Sequence, residues 1–328
     1  MDERARIARL AAIFGAPAAP GVRVGIGDDA AVLDLAHAVH APAPPDSLVW
    51  TIDEQVEGTH FRIDLASFED IGWRSFMAAA SDLAAMGAAP WCALGALVLP
   101  ATLSDEAFDG ILRGQRAAAN AVGAPIVGGN LARGPVLSLA TTLLGTCARP
   151  VERRGATPGD GVWMAGRVGL AAAGLRALLA GRGAEAALGP AVEAWRRPVA
   201  LVAAGRALGP LARAAVDVSD GLAGDAGHLA AASGVALVLD EDALRGDPLL
   251  EEAAAAVGVP ALDLALYGGE DYALVAASPT PIDGFRRIGQ VVAGSGVALR
   301  GAHGQCAVIA RGFDHFSDAQ TRTAPGSE

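Results

Sequence analysis

The acidic residues of this chain gather in short clusters beside glycine or serine. Five stand out: Gly25-Ile-Gly-Asp-Asp29, Asp53-Glu-Gln-Val-Glu57, Ser81-Asp82, Asp217-Val-Ser-Asp-Gly221 and Gly268-Gly-Glu-Asp271. A carboxylate next to glycine at the end of an element is well placed to face a ligand. Hard oxygen donors of this kind suit Mg²⁺. Polyphosphate does not approach many carboxylates without bridging cations, so an acidic phosphate site here implies several Mg²⁺ ions. Each cluster taken alone also has a purely structural reading. Asp217 or Ser219 would cap a helix beginning at Asp220, and Asp28-Asp29 would close a turn. A different feature is Ile126-Val-Gly-Gly-Asn130, a strand running into paired glycines that let backbone amides approach a phosphate. Arg133, Arg153 and Arg154 add charge-assisted donors, or stand as solvated charge at a linker.

Composition narrows the chemistry. All 25 basic residues are arginine, so the chain has no lysine for a P-loop or for the strand position of a protein kinase. Phosphate chemistry here falls to metal ions, backbone amides or arginine. A net charge of −11 without a basic run argues against nucleic acid as a partner. Cys92, Cys147 and Cys306 are scattered and read as small buried hydrophobes in a reducing compartment. The charged start Met1-Asp2-Glu3-Arg4 has no apolar core of the signal-peptide kind, which predicts a cytoplasmic protein. The uncharged stretch from Leu83 to Ser104 is broken by Pro90 and Pro100, and reads as a buried helix end followed by a core strand instead of a membrane span.

The elements that must position these residues follow from periodicity and punctuation. A length of 328 residues with 52% hydrophobic side chains predicts two α/β domains. Apolar runs predict strands at Leu48–Ile52, Ala93–Leu99 and Val136–Leu144. Helices are predicted over Glu69–Met86 and Asp105–Val122, the second capped by Ser104 and stopped by Gly123. The Pro-, Gly- and Arg-rich stretch Ala148–Asp160 marks a boundary between residues 1–148 and 149–328. Beyond it come a strand at Gly161–Ala165, a helix over Gly169–Ala180 and a longer helix around Ala191–Leu208. Strands at Val235–Leu239 and Tyr272–Ala276 follow, and the last dozen residues read as a frayed tail. No Gly-x-Gly-x-x-Gly follows a strand, so a dinucleotide fold is not indicated.

In order and spacing, GIGDDAAVL, IDEQVEGTHF, SDLAAMGAAP, GGNLARGP, DVSDGLAGDAGHL, YGGEDYALV and GFDHF resemble the thiamine-monophosphate kinase family, within the superfamily of aminoimidazole ribonucleotide synthetase. The likeness runs from Gly25 to about Phe316. It implies an α/β fold of the α+β type, with two domains, mixed sheets flanked by helices, and a homodimer formed through the amino-terminal domains. It implies transfer of the γ-phosphoryl group of ATP to thiamine monophosphate with several Mg²⁺ ions. The acceptor is already an anionic phosphate oxygen, so no covalent nucleophile or general base is expected; catalysis reduces to in-line alignment and charge neutralisation. Residue by residue, the resemblance implies metal ligation by Asp29, Thr51, Asp53, Asp82, Asn130, Asp217 and Asp220. It implies ATP contacts from Gly129, Asn130, Arg153 and Ser219, and acceptor contacts from His60, Glu270 and Phe313. Ordinary packing or capping is the competing reading of those last three.

The chain departs from the family pattern at several of these places. Asn130 stands where the family has an aspartate, which removes a charge from a multi-metal site. Leu131 stands for a threonine, Ala79 for an asparagine, Ile52 for a hydroxyl residue and Arg74 for a lysine. A paralogue with a changed acceptor, or a nucleotide-binding protein without turnover, are the readings these departures leave open beside the kinase.

Overall fold

The computed structural model describes residues 9, 12–14, 22–24, 32–33, 47–310 and 312–313. The Asp28-Asp29 cluster, with the metal ligand expected at Asp29, and the tail beyond residue 313 lie outside the described residues. The chain forms a short antiparallel pair, β1 (Val22–Val24) with β2 (Val32–Leu33), and two larger sheets.

The first large sheet has four strands and is built from residues of the first half. Its members are β3 (Ser47–Val56), β4 (Ala89–Leu99), β5 (Ile126–Arg133) and β6 (Ser138–Cys147), in the order β3-β6-β4-β5. Helices α1 (Phe68–Ala85) and α2 (Asp105–Val122) complete this half, and α1 lies against β3, β6 and β4. A capping box starts α1: the Ser67 hydroxyl accepts from Asp70 N–H at 3.1 Å while the Asp70 carboxylate accepts from Ser67 N–H at 3.3 Å. Ser104 caps α2 and Gly123, at φ 76°, ends it, as the sequence predicts. The two helices touch backbone to backbone. A Cβ on Gly72 would sit 2.1 Å from the Ile111 carbonyl oxygen, and one on Gly114 would sit 1.9 Å from that of Glu69. Only hydrogen fits between the helices at those two positions.

The second large sheet has seven strands in the order β13-β12-β9-β11-β7-β10-β8. These are β7 (Gly161–Ala165), β8 (Ala214–Val218), β9 (Ala236–Asp240), β10 (Ala273–Ser278), β11 (Arg286–Val292), β12 (Gly296–Gly301) and β13 (Gly304–Val308). Its pairs are antiparallel except for β12 with β9, so the sheet is mixed. Every residue of β8 and β10 is buried, Asp217 included. Helices α3 (Leu170–Leu179), α4 (Gly189–Arg196), α5 (Leu222–Ser233), α6 (Pro248–Val257) and α7 (Ala261–Tyr267) supply the rest of this half. One apolar core joins the halves, with Leu97, Phe108, Ile111 and Leu139 in the same cluster as Met164, Val216, Leu237 and Val275.

Some local expectations need correction. The long helix expected over Ala191–Leu208 is broken: α4 ends at Arg196, and the chain resumes in single turns at Val202–Arg206 and Leu208–Leu211. Pro198 is the cause, because it lacks an N–H and pushes the residue before it out of the helical region. The strand β5 does not stop at the paired glycines but runs on through Gly128 and Gly129 to Arg133. Of the three cysteines only Cys92 is buried; Cys147 is partly exposed and Cys306 lies on the exposed strand β13. Among the described residues, no helix is long and apolar enough to cross a membrane.

Candidate active site

Three aspartates from three separate elements meet where the first half faces the second. Asp53 lies near the middle of β3, Asp82 in the last turn of α1 and Asp217 near the end of β8. On β3 the side chains of Thr51, Asp53 and Gln55 share the inner face, because alternate residues of a strand point the same way. That face meets α1, and the Thr51 hydroxyl donates to Asp82 Oδ2 at 2.5 Å. One residue earlier on the helix, the buried Ser81 hydroxyl donates to Asp217 Oδ2 at 2.8 Å. The neighbours Ser81 and Asp82 therefore reach opposite walls of one cleft. That cleft has a volume of about 500 Å³, and its lining includes Thr51, Asp82, Arg153 and Asp217 with the apolar Met86 and Val151.

The electrostatics match this crowding. Burial, then the charges of Asp82 and Asp217, push the Asp53 carboxyl up to about 7. Asp217 rises to about 6, through burial and then Asp82, against the opposing effects of the Ser81 hydroxyl and the Arg153 charge. Asp82 is also raised by burial, while Thr51 and Arg153 oppose the rise. Arg153 is exposed, but its charge bears on both of these aspartates and it lines the same cleft.

A second group is assembled around the turn between β8 and α5. Neither Asp217 nor Ser219 caps that helix: its N-cap is Gly221, with no side-chain cap. The turn is instead held from below by Asp225 of α5, whose buried carboxylate accepts from Asp220 N–H at 3.1 Å and Gly221 N–H at 3.2 Å. On one side Ser219 accepts from Glu270 N–H at 2.7 Å and Val218 from Tyr272 N–H at 2.8 Å. On the other side the Asp220 carbonyl accepts from Phe313 N–H at 3.1 Å. Ser219 and Asp220 are thus clamped between Glu270 and Phe313. Glu270 at φ 68° and Tyr272 at φ 50° both occupy left-handed backbone, a conformation costly for residues other than glycine.

His60 and Glu270 are joined through Arg74 of α1. The Arg74 guanidinium is buried; it pairs with the Glu270 carboxylate and donates to the carbonyl oxygens of Trp195 and, at 3.3 Å, His60. The His60 ring is fixed in turn, its Nδ1 accepting from Val56 N–H at 3.0 Å. Burial raises the Tyr272 phenol above its ordinary value; the Arg74 charge opposes the rise, and those of Asp53, Asp217 and Asp82 add to it.

Gly129 and Asn130 fall elsewhere. Across the four-stranded sheet the register aligns Asp53, Thr141, Gly95 and Gly129 in one row, and Glu54, Ala140, Ala96 and Asn130 in the next. Gly129 shares the inner face with Asp53, and a Cβ there would sit 1.8 Å from the Gly95 carbonyl oxygen. Asn130 points to the opposite face, three strands and roughly 14 Å from β3. The structure does not bring it to the three aspartates. Ala79, where the family has asparagine, is fully buried in an apolar cluster with Phe76, Leu83 and Leu143.

Among the described residues, no three His, Cys, Asp or Glu side chains converge on one point that would hold a metal ion. The donor set nonetheless suits a hard cation, being carboxylate and hydroxyl oxygen throughout. Two further oxygens on the same sheet face, Gln55 Oε1 and Thr141 Oγ1, are buried without a partner among the described residues. The sequence assigned no role to Ser81, Asp225 or Tyr272, although each lies within a motif singled out above. Arg74 stood out only as a replacement. Their spacing gave no sign of function, because their partners lie more than a hundred residues away or in the backbone of a turn.

This layout of two mixed sheets with acids facing one cleft defines an AIR synthase-type protein, and residues 27–147 match the family described as AIR synthase related protein, N-terminal domain. The thiamine-monophosphate kinase of Corynebacterium glutamicum is 38% identical over 81% of this chain and 80% of its own. The chain belongs to the thiamine-monophosphate kinase family. Its fold follows that of AaThiL complexed with AMPPCP and TMP, with a TM-score of 0.77 and 32% identity over 82% of this chain and 87% of that one. The thiamine-monophosphate kinase of Stenotrophomonas maltophilia K279a gives the same TM-score at 33% identity, over 91% and 96% of the two chains.

Proposed function

We propose that this protein is a thiamine-monophosphate kinase, transferring the γ-phosphoryl group of ATP to the phosphate of thiamine monophosphate to give thiamine diphosphate and ADP. One observation carries the reading beyond family membership: Asp82 and Asp217 line a single cleft with Thr51 and Arg153, and the charges of both aspartates bear on Asp53. Asp53, Asp82, Asp217 and Asp220, with Thr51, would hold Mg²⁺, and Asp29 would join them. Bound there, the ions neutralise phosphate charge that these carboxylates would otherwise repel. Arg153 offers the polyphosphate a charge-assisted donor, and Ser219 borders the same turn. His60, Glu270 and Phe313 face the acceptor. Its phosphate oxygen is largely anionic near neutral pH, so these residues need only align it.

The same reading assigns residues 1–148 to an ATP, metal and dimerisation domain and residues 149–328 to a second domain. A homodimer is supported by the outer face of β3, where Leu48, Trp50 and Ile52 are exposed in alternation. Asn130 lies on that same outer face, so a partner covering it would bring Asn130 to the interface. A cytoplasmic location fits three free thiols and no disulfide.

The test is conversion of thiamine monophosphate by the purified chain with ATP and excess Mg²⁺, resolved by chromatography. Thiamine diphosphate and ADP in equal amounts are expected. ATP binding without product would instead favour a nucleotide-binding protein that has lost turnover. Asp82→Asn and Asp217→Asn should each lower kcat by about a hundredfold or more while leaving the circular dichroism spectrum unchanged. Native rates in both variants would remove the aspartates from the site.

A further inference from the structure

Resting on the kinase reading, we infer that Arg74 is a positioning residue for the acceptor side of the site, aiming the Glu270 carboxylate and holding the His60 carbonyl with one guanidinium. Arg74 is 1% exposed, yet it belongs to α1 in the first half while Glu270 belongs to a turn of the second. Its Nη2 serves both His60 O and Glu270, its Nη1 serves Trp195 O, and its plane lies over the Trp195 ring at 4.5 Å. A planar fork meets partners in several directions at once, as a single ammonium group does not.

The backbone on both sides is fixed without Arg74. The turn carrying Glu270 is held by Glu270 N–H to Ser219 and Tyr272 N–H to Val218. It is held again by Asp271, which accepts from Gly169 N–H at 2.6 Å and Ala171 N–H at 3.2 Å. His60 is tied to Val56 through its own N–H and its ring nitrogen. What remains free is the direction of the Glu270 side chain, 25% exposed at the edge of the site, and Arg74 determines it. The pairing also offsets a carboxylate charge beside the place where an anionic acceptor must bind. Without the guanidinium, Glu270 would stand uncompensated and turn toward water.

The test uses the full chain and the variants Arg74→Met, Arg74→Lys and Glu270→Gln, with KM measured separately for thiamine monophosphate and for ATP. Arg74→Met should raise KM for thiamine monophosphate about tenfold or more and leave KM for ATP within about twofold. Arg74→Lys keeps the charge but loses the fork, and should raise the acceptor KM about threefold. Glu270→Gln should add little in the Arg74→Met background, because the two residues act as one unit. A rise in both KM values together, or an unchanged acceptor KM, overturns the role while the kinase reading stands. If Arg74→Met does not fold, the Arg74→Lys and Glu270→Gln pair decides by the same split, and native acceptor KM in both overturns it. A native protein that forms no thiamine diphosphate overturns the kinase reading and this role with it.

Discussion

Asp271 illustrates how a single side chain here combines structure with titration. It sits beside Glu270 and binds the first backbone N–H groups of α3, yet burial pushes its carboxyl up to about 7. In the unfolded chain the same group ionises near its ordinary value of 3.8. The folded state therefore holds more protons between those values. The stability this group contributes is complete below about pH 4 and is lost as the pH rises through about 7. Asp271→Asn keeps an acceptor oxygen but does not ionise. Between pH 5 and pH 8 the native melting temperature should fall relative to that of the variant; parallel curves would show that the carboxyl ionises normally. Asn130→Asp is a separate test on the other face of the first sheet. If Asn130 serves a metal in the assembled protein, the new charge should lower the Mg²⁺ concentration for half-maximal rate severalfold. An unchanged requirement would place Asn130 outside the metal site. In the sequence, Asp53, Asp82, Asp217 and Glu270 were legible because each stands in a motif. That Asn130 faces away from them was not, since a strand shows its two faces only once its register is known.

At the scale of elements, α1 and α2 depend on contact without side chains. Gly114→Ala would force a methyl group into the Glu69 carbonyl and part the helices. We expect a loss of roughly 2–3 kcal/mol, read from urea unfolding, with activity falling too, because α1 carries Arg74, Ser81 and Asp82. Stability within 0.5 kcal/mol of native would mean the helices slide apart freely, about the effect of a surface change. Helix α2 was legible to the residue, since Ser104 and Gly123 mark its ends by hydrogen bonding and by left-handed backbone. The break at Pro198 was also written in the sequence, but helix-favouring alanines and leucines on either side masked it. Strands β11 to β13 gave little signal. Arg286, Arg287, Arg300 and the surrounding glycines dilute their alternation, and β13 forms an exposed edge.

For the whole molecule, the outer face of β3 carries the clearest unsolved demand. Leu48 is 52% exposed, Trp50 72% and Ile52 68%, a row that a second copy would cover. Leu48→Glu should convert a dimer into a monomer in sedimentation at micromolar concentration. A native monomer under the same conditions would remove the dimer from the proposal. The cleft itself draws walls from both halves, with Asp82 on one and Asp217 on the other, so a ligand filling it adds contacts across the shared core. Saturating ATP with Mg²⁺ should therefore raise the melting temperature of the native chain more than that of Asp217→Asn.

Helix α1 also acts as a ruler. Arg74 and Ser81 are seven residues apart, about two turns, so they project from nearly the same side with a separation of about 10 Å along the axis. The contact of Arg74 with Glu270 and that of Ser81 with Asp217 are thereby spaced by covalent geometry, not by packing that could relax. One residue inserted between them would swing the two groups about 100° out of phase, whatever its chemical nature. The number of residues between Arg74 and Ser81 is thus as much a part of the site as their side chains.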